Sequence, residues 1–100
     1  MEQEVLTFID KFKFTNKKEV EKVFLEGDCY YFAIILKTRF KYARLMYDSI
    51  MGHFTAKIHG ELYDITGKVT EKYKDSIPFH EVDEIEKTRI IRDCVRFESR

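Results

Sequence analysis

The sequence predicts an α+β fold in a single domain: helices first, about three antiparallel strands next, and a closing helix. Three observations carry this expectation. Apolar residues recur at helical spacing from Val5 to Phe40, a period of two replaces it between Ala43 and Thr66, and the helical interval returns at Val82. One hundred residues hold one core and bury roughly 60–65% of the unfolded surface, so residues 1–100 read as one domain.

Each element follows from local chemistry. Val5, Phe8, Ile9 and Phe12 share one face of a helix running from Glu4 to Phe14. Asn16 then caps a new start, with Glu19 closing a capping box, and Val20, Val23 and Phe24 line a second helix that ends at Gly27. Asp28 is a preferred N-cap, which makes Cys29 the first residue of a third helix. Phe32, Ala33, Leu36 and Phe40 continue its apolar stripe, so this helix is the central one and Cys29 opens its buried face. Ala43 to Tyr47 reads as a strand, followed by a loop through Asp48, Ser49 and Gly52. From His53 to Ile58 the chain alternates, with His53, Thr55 and Lys57 on one face and Phe54, Ala56 and Ile58 on the other. His59-Gly60 is a tight turn and Glu61 to Thr66 the returning strand. Pro78 marks a loop, and Val82, Ile85, Ile90, Cys94 and Phe97 recur at roughly helical intervals.

Charge excludes some function classes. Eighteen basic residues cancel eighteen acidic ones, which argues against a general nucleic-acid binder while leaving room for a local basic patch. No apolar run reaches the length of a membrane span, and Met1-Glu2-Gln3-Glu4 lacks the charge and apolar core of a secretory signal, so no membrane association is expected. Cys29 and Cys94 are the two cysteines, too few for a disulfide framework; a reducing cytoplasm is the expected compartment.

Three residues carry candidate chemistry. A cysteine nucleophile acts as the thiolate, and the first turn of a helix favours that form through its unpaired backbone N–H groups. Cys29 occupies that place, although Asp28 beside it works in the opposite direction. The backbone N–H of Cys29 is also a candidate oxyanion donor. A two-residue turn at His59-Gly60 pairs Ile58 with Glu61, and the same register sets His53 opposite Thr66 with Asp64 diagonal to it. Diagonal cross-strand neighbours lie about 7–8 Å apart at the backbone, within side-chain reach. Asp64 would then orient the His53 imidazole and leave its other nitrogen for Cys29, which is the logic of nucleophile, base and orienting carboxylate.

The segments Gly27-Asp28-Cys29-Tyr30-Tyr31-Phe32-Ala33, Gly52-His53-Phe54 and Leu62-Tyr63-Asp64-Ile65-Thr66-Gly67 resemble the papain-like superfamily in its transglutaminase-like and NlpC/P60-like branches. There the order Cys, His, Asp runs helix, strand, strand. The resemblance covers residues 27 to 67 and implies a cysteine hydrolase or acyltransferase acting on an amide or ester bond, with a protein or peptide as substrate or partner and no cofactor or metal. The chain is also similar to small proteins of bacteria and their phages that share the Cys-Tyr-x-Phe-Ala segment, a His-Phe strand and a Tyr-Asp-Ile-Thr-Gly end. The glutamine that papain-like proteases place shortly before the cysteine has no counterpart, because Gln3 stands too far upstream; the Tyr30, Tyr31 or Tyr47 hydroxyl is a substitute donor.

Other readings stand beside this one. Cys29 suits a core position, His53 a structural one, and Asp64 can bond the turn that follows it. Cys29, His53, His59 and Cys94 lack the close ligand pairs of zinc sites, and His59 and His80 read as surface residues. A non-catalytic binding module, such as a phage-encoded inhibitor of a host defence protein, is the alternative function. Lys37 to Arg44 interleaves cations with Phe40 and Tyr42, a pattern compatible with single-stranded nucleic acid. The expected role of that segment is nonetheless an exposed helix end whose cations complement the dipole.

Overall fold

The computed structural model describes residues 2–14 and 29–90. The Asn16-capped helix with Val20, Val23 and Phe24, the Gly27 and Asp28 caps, and Cys94 with Phe97 lie outside the described residues. Within them the fold is α+β, as predicted.

Helix α1 (Glu2–Phe12) begins earlier than the apolar pattern suggests, with Glu2 and Glu4 in its first turn and Lys11 in its last, matching the helix dipole at both ends. It buries Val5 and Ile9 and lays Leu6, Phe8 and Phe12 along the core margin. Helix α2 (Cys29–Arg39), described from Cys29 onward, buries Cys29, Phe32, Ala33 and Leu36. Phe40 follows just beyond its end. The helices meet through edge-to-face rings, Phe12 on Phe32 at 5.1 Å and Phe8 on Phe40 at 5.8 Å.

The strands are β1 (Arg44–Asp48), β2 (His53–Ile58), β3 (Glu61–Asp64), β4 (Gly67–Lys68) and β5 (Ile77–Pro78). They form an antiparallel sheet in the order β4-β3-β2-β1-β5. Three strands are expected from the alternation and five are present, because β4 and β5 are two residues each and too short to show a period. Pro78 belongs to β5 rather than to a loop; β5 is an edge strand, where a missing N–H costs no ladder bond.

The turn at His59-Gly60 sets the β2–β3 register. Both residues take left-handed conformations, φ 49° and 83°, which is what a two-residue hairpin turn matched to strand twist requires. Ile58 pairs with Glu61, Lys57 with Leu62 and Ala56 with Tyr63, as predicted. The central strand β2 is covered on both sides. Ala56 and Ile58 join α1 and α2 in the main core and Phe54 packs with Cys29, Ala33, Tyr47, Phe79 and Ile90 in a second cluster, whereas Met46, Leu62 and Tyr73 form a smaller cluster on the other face.

The closing segment differs from the expected Val82–Phe97 helix. A 3-10 turn (Phe79–Glu81) precedes α3 (Glu84–Ile90), and Val82 lies between them. Asp83 bonds the Ile85 N–H at 3.1 Å in the manner of an N-cap. Ile90 is buried and Ile85 exposed. They stand five positions apart, about 140° around the axis, so one face cannot bury both. Among the described residues no helix is long and apolar enough to cross a membrane.

Candidate active site

The site is assembled at the end of the sheet where β2 begins. Gly52, with φ 63°, turns the chain out of the β1–β2 loop and into His53. Asp48 sits opposite His53 across the pair and holds the loop by accepting from the N–H groups of Ile50 (2.9 Å) and Met51 (2.8 Å). The loop's geometry therefore fixes the residue that opens β2.

His53 and Asp64 meet. Their Nε2 and Oδ2 atoms are 2.9 Å apart, and His53 and Asp64 are 5% and 4% exposed. The second carboxylate oxygen, Oδ1, accepts from the Thr66 N–H at 2.8 Å and the Thr66 hydroxyl at 2.6 Å. Asp64 thus bonds its own turn with one oxygen and the imidazole with the other. Two anchors on Thr66 leave the carboxylate little freedom, and that directs Oδ2 at the ring.

Cys29 is the third residue that the sequence singles out. It is a free thiol, 8% exposed, and shares a buried cluster with Ala33, Tyr47 and Phe54, which brings the start of α2 to the start of β2. Burial by itself disfavours the imidazolium of His53. The Asp64 hydrogen bond, then a hydrogen bond and charge interaction with Cys29, then the Asp64 charge outweigh that cost and raise the His53 pKa to about 9. Asp64 shows the reverse balance: burial pushes it up, but the bonds from His53 and Thr66 and the His53 charge hold it below the usual carboxylate range. With Nε2 occupied by Asp64, Nδ1 is the nitrogen left for the thiol.

Two further side chains belong to the site. Tyr73 stacks on the His53 ring, centroids 4.6 Å apart and planes at 27°, and is itself buried. It covers one face of the buried imidazole. Sequence reasoning missed it, because Tyr73 lies in the charged stretch Glu71-Lys72-Tyr73-Lys74-Asp75, where no period marks a buried residue. The one available signal is that lone aromatic among charges. Thr66 could have been found, since the register places it opposite His53.

The tyrosines proposed as oxyanion donors stand differently. Tyr30 is half-buried with its ring edge-on to Phe54 at 5.1 Å, and Tyr31 is exposed against Tyr30. Tyr47 packs on Phe54 at 4.8 Å. His59 and His80 are exposed, in the hairpin turn and the 3-10 turn. Among the described residues no group of three or more His, Cys, Asp or Glu converges in a way that would hold a metal ion.

No curated protein and no solved structure matches the chain. One family does, described as Phage YunG-like protein, over residues 8–97. That span contains Cys29, His53 and Asp64 together with every strand of the sheet. The chain belongs to the Phage YunG-like protein family.

Proposed function

We propose that this Phage YunG-like protein is a small cysteine hydrolase or acyltransferase acting on an amide or ester bond. The observation that carries the reading is the buried His53–Asp64 hydrogen bond at the start of β2, where neighbouring Phe54 packs in the same buried cluster as Cys29. In the proposed reaction the Cys29 sulfur attacks the carbonyl carbon. The resulting oxyanion is met by the Cys29 backbone N–H, with Tyr30 or Tyr31 as a second donor. The His53 imidazolium gives its proton to the departing amine or alkoxide, leaving a thioester. Water or a second amine then attacks the thioester, His53 takes its proton, and the sulfur departs. Asp64 stabilises the imidazolium throughout. A protein or peptide is the proposed substrate, in a reducing compartment that keeps Cys29 free.

The likeness of residues 27 to 67 to papain-like enzymes supports this order of roles. The test is acylation by p-nitrophenyl acetate followed by intact mass. One acetyl group on Cys29 that forms at least tenfold more slowly in His53→Ala and is absent from Cys29→Ala supports the proposal. Equal acylation of wild type and His53→Ala overturns it.

A second reading, a protein-binding module such as an inhibitor of a host defence protein, draws on the loop before His53, where Ile50 and Met51 are 83% and 62% exposed. Exposed apolar side chains at a loop tip are suited to a partner surface. On this reading Cys29→Ala leaves the protein's effect in infected cells intact and Ile50→Ser with Met51→Ser abolishes it; the hydrolase reading predicts the opposite for Cys29→Ala.

A further inference from the structure

The cations of the Lys37–Arg44 segment, which the proposed chemistry leaves unused, are joined by others from distant parts of the chain. A cleft of about 690 Å³ lies between the end of α2, the start of β1 and α3, and Lys37, Arg44, His80 and Lys87 line it around Ala43, Leu45 and Phe79. Its lining includes no carboxylate. Lys87 and His80 have surface partners, Glu84 at 3.2 Å and Glu81 at 3.8 Å. Arg44 also borders a second depression of about 170 Å³, shared with Tyr42, Lys57 and His59. Tyr42 and His59 in turn border a third of about 250 Å³, which adds Arg39 and Lys41 and one carboxylate, Glu4. The three depressions share residues and so form one continuous basic strip, although the chain as a whole carries no net charge.

Two features of the strip point to an anionic ligand with flat rings. Arg44 and Lys57 are direct cross-strand partners. Like charges placed opposite one another destabilise a sheet, and among the described residues no carboxylate forms an ion pair with either. An anion seated between them would relieve that repulsion. Tyr42, 82% exposed, stands where the second and third depressions meet, with cations on both sides. An exposed ring within a cationic track is the arrangement that stacks bases while neutralising a phosphate backbone.

We propose that this strip binds single-stranded nucleic acid, with Arg44 and Lys57 on phosphates and Tyr42 under a base. The site is separate from Cys29, which lies at the opposite end of α2 from Lys37, and the proposal is independent of the hydrolase reading.

Fluorescence anisotropy with labelled (dT)20 tests it. Three to four phosphate contacts predict a dissociation constant that rises about 20- to 50-fold between 50 and 200 mM NaCl. Tyr42→Ala weakens binding at least fivefold, as loss of a stacked base does. Arg44→Glu puts a carboxylate opposite Lys57, so that variant melts at or above the wild-type temperature while binding at least tenfold more weakly. That combination separates lost binding from lost folding. Poly-L-glutamate of matched charge binds at least tenfold more weakly than (dT)20 and responds little to Tyr42→Ala. Absent binding at 50 mM NaCl, unchanged binding in Arg44→Glu or Tyr42→Ala, a lowered melting temperature in Arg44→Glu, or equal affinity for poly-L-glutamate (an acidic-protein surface) overturns the proposal.

Discussion

The two faces of strand β2 serve different ends: one is buried along its length, and the other is buried at His53 and Thr55 and open at Lys57. On one, Phe54, Ala56 and Ile58 pack against α2, with Phe54 touching the rings of Tyr30, Tyr47 and Phe79 at 4.8–5.1 Å. On the other, His53 and Thr55 lie beneath Tyr73, Met46 and Leu62, and the burial there encloses polar groups. His53 is satisfied by Asp64, but the Thr55 hydroxyl is buried without a hydrogen-bond partner. A lost hydroxyl bond in a buried site costs about 1–3 kcal/mol. The apolar face therefore supplies stability, and the polar face uses part of it to hold an imidazole and a carboxylate in a fixed pose.

The largest effect expected from this division lies on the apolar face. Phe54→Ala removes a fully buried ring and lowers the unfolding free energy by about 3–5 kcal/mol in urea titration. His53→Gln on the other face costs about 1–3 kcal/mol, since it leaves Asp64 with a neutral partner. Equal costs would erase the distinction between the faces.

The next effect is in pH dependence. The His53 pKa is raised to about 9, so its contribution to stability is fully present below 6.5 and is lost as pH rises toward 9. Asp64 titrates below its ordinary value, so its contribution is present above 3.8 and is lost as pH falls through that lowered value. Urea midpoints should therefore fall between pH 6 and pH 9.5, by an amount on the order of 2 kcal/mol, and His53→Gln should abolish most of that fall. In Asp64→Asn the His53 ring protons, followed by NMR, should titrate closer to 6.5, because the charge that favours the imidazolium is gone. A His53 titration unmoved by Asp64→Asn would break the pairing.

The smallest effect sharpens the contrast. Thr55→Val keeps the volume of the side chain and removes a hydroxyl that has no partner. It should leave stability unchanged or raise it by about 1 kcal/mol, seen as a shift in the same urea midpoint. A clear loss would mean that the hydroxyl is held by a group that the polar face supplies.

How far the sequence reaches into this arrangement depends on the range of each signal. The hairpin at His59-Gly60 is a local device with a fixed two-residue length, so the register of β2 on β3, and with it the His53–Asp64 contact, is readable from spacing. The α2 stripe of Phe32, Ala33 and Leu36 is readable for the same reason. Strands β4 and β5 were not, since two residues carry no periodicity and exist only through their partners. Tyr73 on His53 and Lys57 beside Arg44 bring together residues whose approach depends on the whole sheet, and neither pairing leaves a trace in the spacing. The alternation of β2 marks its two faces but carries no sign that Tyr73 stacks on His53.

The central claim is that Cys29, His53 and Asp64 act as one unit, and alkylation of Cys29 by iodoacetamide at pH 6.5 tests it most directly. The predicted result is a Cys29 rate in the folded wild type at least tenfold above that in folded His53→Ala, with Asp64→Asn between them. Equal rates in wild type and His53→Ala would contradict the unit and leave Cys29 as a core residue.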